Sequence, residues 1–190
     1  MAKLAWRLFT SGILAFICSG AHSAPRQLML FGAPLKGASR PQLREVFRAH
    51  GLAPIREDDQ YWYDEYNPTS VLEGASSLAV GYVAATHKFA VAEYKFSGTM
   101  DTQLVARVIN LIESKYGAPS SRSGNINLGD VLATWNFPNG MKITVSRDWP
   151  DTTTFLDYVD VTANTAMQAE IDAEKQRQAK EKASSESSAF

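Results

Sequence analysis

Two acidic runs are the first places where this sequence could support chemistry. Glu57-Asp58-Asp59 with Asp64 and Glu65 forms one; Asp148, Asp151, Asp157 and Asp160 form the other. Clustered carboxylates can hold hard cations or act as paired acids and bases. Neither run has the spacing of an EF-hand loop or its turn glycine. On strands, alternate acids face opposite sides, so these runs need not converge. Nucleophilic catalysis is poorly served: no Gly-x-Ser-x-Gly turn occurs. Ser120, Ser121 and Ser123 lie beside Arg122 and Gly124 in a stretch that reads as a loop. Gly32 to Gly37 lacks the Gly-Lys-Ser/Thr ending of a phosphate-binding loop. His50 and His87 are far apart, and Cys18 is the sole cysteine. No catalytic residue, metal ligand or cofactor is therefore assigned. The acids near 57–65 and 148–160 define an alternative reading, a cell-envelope hydrolase.

The aromatic residues point instead to contact. Tyr61, Trp62, Tyr63 and Tyr66 cluster beside the first acidic run, and Trp149 sits in Arg147-Asp148-Trp149-Pro150-Asp151. Exposed Tyr and Trp bury large area at low entropic cost, which suits a binding surface. On a strand, Tyr61 and Tyr63 share one face and Trp62 takes the other, so either face can fill a core or meet a partner. Tyr61, Tyr63, Tyr66, Arg147 and Trp149 are the candidate binding residues. Arg147 is also placed to pair with Asp148 or Asp151.

The elements that position these residues follow from periodicity. A strand is predicted at 27–31 and a loop from Gly32 to Ala38. A helix starts at Ser39, with Gln42 at capping-box spacing and Pro41 in the first turn. It presents Leu43, Val46 and Phe47 on one face and stops at Gly51 and Pro54. Residues 78–83 and 88–96 read as a hairpin, with Ala90, Ala92, Tyr94 and Phe96 inward and Phe89, Val91, Glu93 and Lys95 outward. A second helix, capped by Asp101 or Thr99, carries the stripe Leu104, Val105, Val108, Ile109 and Ile112, and ends at Gly117. Strands at 131–137 and 141–147 flank Pro138-Asn139-Gly140, where Asn-Gly supplies positive φ angles for a tight hairpin. A last strand covers 153–159. Residues 165–182 form a polar helix, docked near its start at most, and 183–190 form a frayed tail.

The order of helix, Gly/Pro break and strands with a Trp occurs twice. Gln42-Leu43 leads to Gly51-Leu52-Ala53-Pro54, and Gln103-Leu104 leads to Gly117-Ala118-Pro119. The expected fold is α+β: antiparallel sheet with two amphipathic helices packed on one face, in a tandem helix–meander arrangement, plus a polar C-terminal helix. The expected organisation is a signal peptide at 1–23, one domain at 24–162 with halves 27–97 and 98–162, and the helix and tail at 163–190.

The signal peptide rests on Lys3 and Arg7, the apolar stretch Leu8 to Cys18, and Ala21-His22-Ser23 before Ala24. Such a stretch spans only about half a bilayer, which argues against a stable transmembrane anchor. The whole chain has a net charge of −1, and removing Lys3 and Arg7 makes it two units more negative. No basic field exists to hold nucleic acid. Periplasmic or secreted placement is the expectation.

Lys36-Gly37-Ala38-Ser39 leading to Leu43, then a Gly and a Pro, then Tyr61-Trp62-Tyr63, resembles the helix–sheet repeat of small outer-membrane assembly lipoproteins and β-lactamase-inhibitor-like proteins. Residues 36–66 carry the resemblance, with a second copy of the pattern at about 100–147. The chain departs from the pattern in its longer break after the helix and its lack of a lipidated Cys. The resemblance implies a binding or inhibitory module without catalysis. The expected function is an exported, soluble, non-catalytic binding module engaging a protein or cell-envelope partner.

Overall fold

The computed structural model describes residues 27–98 and 100–187. The signal segment 1–23, with Cys18, and the last three residues of the tail lie outside them. The elements in chain order are β1 (Met29–Leu30), β2 (Ala33–Pro34), α1 (Arg40–Ala49), β3 (Ala53–Arg56), β4 (Tyr63–Asn67), β5 (Ala75–Val83), β6 (Lys88–Phe96), α2 (Leu104–Tyr116), β7 (Ser121–Gly124), β8 (Val131–Asn136), β9 (Met141–Arg147), β10 (Thr154–Asp160) and α3 (Val161–Ser187). β1 falls within the strand expected at 27–31, and β2, its partner in a small ribbon, lies in the stretch expected to be a loop. The other eight strands make one antiparallel sheet in the order β3-β4-β5-β6-β10-β9-β8-β7. One helix followed by four strands thus occurs twice, and the last strand of each set pairs with the other along the middle of the sheet. The fold is α+β.

The core lies between one sheet face and the two amphipathic helices. α1 buries Leu43 and Phe47, and α2 buries its whole stripe of Leu104, Val105, Val108, Ile109 and Ile112. They pack on Leu78, Val80, Tyr94, Ala133, Ile143 and Leu156 in one continuous cluster. α1 begins at Ser39 with extended backbone but without a side-chain cap, so the Ser39–Gln42 capping box is not formed. The β5–β6 turn does that work instead: the Arg40 amide donates to the His87 carbonyl at 2.8 Å.

The β6 faces differ from simple alternation. Between Gly81↔Val91 and Tyr82↔Phe89 the register shifts, leaving Ala90 as an extra residue. A bulge of this kind reverses which side the flanking positions face. Phe89 therefore joins the helix-side core, and Ala90 turns to the opposite face with Val83 and Met167. The β8–β9 turn also departs from expectation. Gly140 has φ +76° but Asn139 is not at positive φ. Pro138 sets a type I turn, closed from the Gly140 amide to the Phe137 carbonyl, and Gly140 then forms the bulge.

α3 packs on the other face of the sheet, over β5, β6 and β10. Met167 is its one buried residue, seated against Gly81, where any Cβ would lie 2.9 Å from the Met167 sulfur and 2.8 Å from Tyr63 and Val91. Glu170 secures the contact by accepting the Trp62 indole N–H at 3.2 Å and the Ala84 and Ala85 amides at 2.7 and 3.1 Å. The helix continues to Ser187, through residues expected to fray, stitched by Glu174–Arg177 and Arg177–Glu181 pairs. No helix among the described residues is long and apolar enough to cross a membrane.

Candidate functional site

The aromatic run at 61–66 does not form one surface. Strand β4 starts only at Tyr63, so Tyr61 and Tyr63 do not share a strand face. Tyr61 is exposed, with the Arg56 guanidinium 4.3 Å from its ring centroid. Trp62 and Tyr63 are half-buried beside α3. Tyr66 is completely buried against Phe47, its hydroxyl donating to Glu57 at 2.9 Å, and so cannot meet a partner.

The first acidic run is consumed by α1. A helix that presents Leu43 and Phe47 inward also brings Arg40, Arg44 and Arg48 to the neighbouring edge. Asp64 is fully buried and receives Arg40 at 2.7 and 3.1 Å and Arg44 at 2.8 Å on each oxygen. Burial alone would raise its pKa, but the hydrogen bonds from Arg44 and Arg40 outweigh that and hold the carboxyl below its usual range. Arg40, itself buried, also donates to the Tyr61 and Asp58 carbonyls at 2.9 and 2.8 Å, fixing the chain that enters β4. Glu57 pairs with Arg48, and Glu65 with Arg56. This is an ion-paired bracket between α1 and β4.

The second acidic run is dispersed. Asp160 pairs with Lys36 at 2.8 Å and accepts the Ala163 amide at the start of α3. Asp151 accepts the Thr153 amide at 2.8 Å. Asp157 stands on the α3 face of β10, in register with Glu93 of β6. Its carboxyl accepts the Thr144 hydroxyl at 2.9 Å, while its second oxygen is buried without a partner. Burial pushes its pKa up to about 6; Thr144 and Lys142 oppose the rise and Glu93 adds to it. Burial also raises Glu93, against the pull of Lys95. Among the described residues no group of three or more His, Cys, Asp or Glu is placed to hold a metal.

Arg147 is not a surface cation and does not pair with Asp148 or Asp151. It is fully buried at the end of β9. Its guanidinium donates to the carbonyls of Thr102, Asn125, Ile126 and Gly129 at 2.6–3.0 Å. Trp149 lies beside it, 5.9 Å from ring centroid to guanidinium, and is 41% exposed. The Trp149 amide donates to Asp130 at 2.6 Å. Of the five sequence-predicted residues, the structure brings together Arg147 and Trp149 at one end of the sheet, and leaves Tyr61, Tyr63 and Tyr66 in three different environments near the opposite edge.

An apolar cleft was not foreseen. It runs between α2 and the 71–74 turn, with Tyr94 and Phe96 of β6 and Leu156 and Tyr158 of β10 beneath it. It consists of two hollows of about 340 and 450 Å³ that share Leu72 and Leu111. Leu30 and Phe31 border the first; Glu73, Gly74 and Arg107 border the second. Such volumes fall in the range of ligand pockets. Burial raises both tyrosine hydroxyls, so they stay neutral. Leu111 is half-exposed on α2, at the edge of the buried stripe beside Val108 and Ile112. That outward Leu was the available sequence signal.

No protein-family model matches the chain, and no curated protein does. Among solved structures, the chain is similar to YjgB, a DUF4309 family protein from Bacillus subtilis subsp. subtilis str. 168. The identity is 9%, the TM-score 0.42, and the match covers 70% of this chain and 86% of that one.

Proposed function

We propose that this protein is an exported, soluble, non-catalytic binding module that engages a protein partner of the cell envelope, receiving apolar side chains of that partner in the cleft beside α2. The cleft carries this reading: it is open, lined by Leu72, Leu111, Leu156 and uncharged tyrosines, and sits where the two helix-and-sheet halves meet. Export rests on the pattern of residues 1–23. The pairing of Glu57, Asp59, Asp64 and Glu65 with arginines supports binding over hydrolysis.

The experiment is site-specific photocrosslinking in intact cells with a photoreactive residue at position 111. A discrete adduct is expected, and Leu72→Asp should remove it without lowering the thermal midpoint by more than a few degrees. An adduct unaffected by Leu72→Asp, or none while the protein is exported and folded, would refute occupancy of the cleft.

A further inference from the structure

A second surface lies at the end of the sheet that holds Arg147. Three loops meet there: residues 97–98 and 100–103 leading into α2, 125–130 between β7 and β8, and 148–153 between β9 and β10. Each presents one large apolar side chain to solvent: Met100 is 89% exposed, Leu128 63% and Trp149 41%. Single exposed apolar residues are ordinary. Three of them on adjoining loop tips that share one anchor are not.

The loops are also held rigidly. Arg147 binds carbonyls of the first two and underlies the Trp of the third. The Gln103 side-chain Nε2 donates to the Asn127 Oδ1 at 3.0 Å, joining the first loop to the second. Asp130 takes the Trp149 amide, joining the second to the third. The Thr152 hydroxyl donates to the Gly98 carbonyl, joining the third to the first. Burying a guanidinium is costly unless it is hydrogen-bonded, and here loop carbonyls take both terminal nitrogens, leaving only the buried Nε–H without a partner. Loops ordered before binding lose less entropy when a partner arrives.

The rim is acidic. Asp130, Asp148 and Asp151 are exposed around the tips, and Asp101 stands beside them paired to Arg107. Lys95 on the sheet, which also acts on Glu93, acts on Asp151. Three exposed carboxylates against one nearby lysine disfavour an anionic lipid surface and favour a cationic protein segment.

We infer that this loop end is a preformed docking surface for a partner protein segment that carries an apolar anchor flanked by Lys or Arg. Trp149, Leu128 and Met100 receive the anchor, and Asp130, Asp148 and Asp151 select the flanking charge. This surface is separate from the cleft, and either can fail without the other.

The test uses two labelled heptapeptides, Leu-Trp-Leu flanked on each side by paired lysines or by paired glutamates, and vesicles of phosphatidylglycerol. Fluorescence anisotropy should show saturable binding of the lysine peptide, at least tenfold tighter than the glutamate peptide. Trp149→Ala and Leu128→Ser should each weaken it tenfold or more, and Asp148→Asn with Asp151→Asn severalfold. Leu111→Ser, in the cleft, should leave it unchanged. All four side chains on the loops are exposed, so the variants should retain the wild-type circular dichroism melt. Equal binding of the two peptides, binding indifferent to the loop variants, no binding at all, or vesicle association in place of peptide binding would each overturn the inference.

Discussion

Replacing Asp157 by Asn should stabilise this protein at neutral pH and flatten its acid response. The Asp157 carboxyl is raised from 3.8 to about 6, chiefly because burial penalises its charge. A rise of roughly two units corresponds to about 3 kcal/mol. The sign follows from proton binding. Between about pH 4 and 6 the folded state keeps a proton that the unfolded chain has released, so this group favours folding at low pH. That contribution disappears as pH rises through about 6, and above it the buried carboxylate is a standing cost. Asn carries no charge and still offers an oxygen to the Thr144 hydroxyl, now 2.9 Å from the carboxylate. It also removes the repulsion with Glu93, its direct cross-strand neighbour. Allowing for partial solvent access, the gain at pH 7.5 should be about 2 kcal/mol. Urea unfolding at pH 4.5, 5.5, 6.5 and 7.5, at constant m-value, measures it. Taking the variant minus the wild type cancels other carboxylates, including Asp64, whose depressed pKa gives the opposite trend. A variant no more stable than wild type at pH 7.5, or a difference that does not grow from pH 4.5 to 7.5, would refute the reasoning.

Other substitutions probe the brackets that hold the fold. Asp64→Ala leaves the buried Arg40 guanidinium without its carboxylate, and chemical denaturation should show a loss of about 3–5 kcal/mol. Arg147→Met strands the Thr102, Asn125, Ile126 and Gly129 carbonyls; a loss of about 3 kcal/mol and faster amide exchange confined to the three loops are expected. Gly124→Ala places a Cβ 1.8 Å from the Asp130 carbonyl oxygen at φ +91°, so the thermal midpoint should fall by several degrees. Met167→Ala should undock α3, seen as loss of exchange protection in residues 161–171 while the main sheet stays protected.

Much of the architecture was legible because it follows from periodicity. The α2 stripe, the β8–β9 hairpin and the β5–β6 hairpin outside its bulge bury what alternation and helical spacing say they must. The short outer strands were not legible. β3 contains Pro54 and β7 reads Ser-Arg-Ser-Gly; both lie at sheet edges, where strands need no apolar face and tolerate proline. The bulge at Ala90 was hidden because an extra residue in one strand shows only in its pairing with another. The site was harder still. Arg40, Arg147 and Asp64 resemble surface residues by type, and only tertiary packing surrounds them with partners. The Pro and Asp neighbours of Trp149 mark a loop but leave its exposure open, and the cleft arises only where distant segments meet.

The pairing of β6 with β10 has a consequence for how the molecule could come apart. It joins the halves by six consecutive residue pairs, and α3 straddles the joint by packing on both strands. Severing the chain between residues 97 and 101 would give two fragments, each baring a long naked edge shaped to accept the other. Such fragments should be insoluble or self-associating alone and should reassemble on mixing. The same mating edges make strand exchange between two whole molecules the natural route to a dimer under partial denaturation.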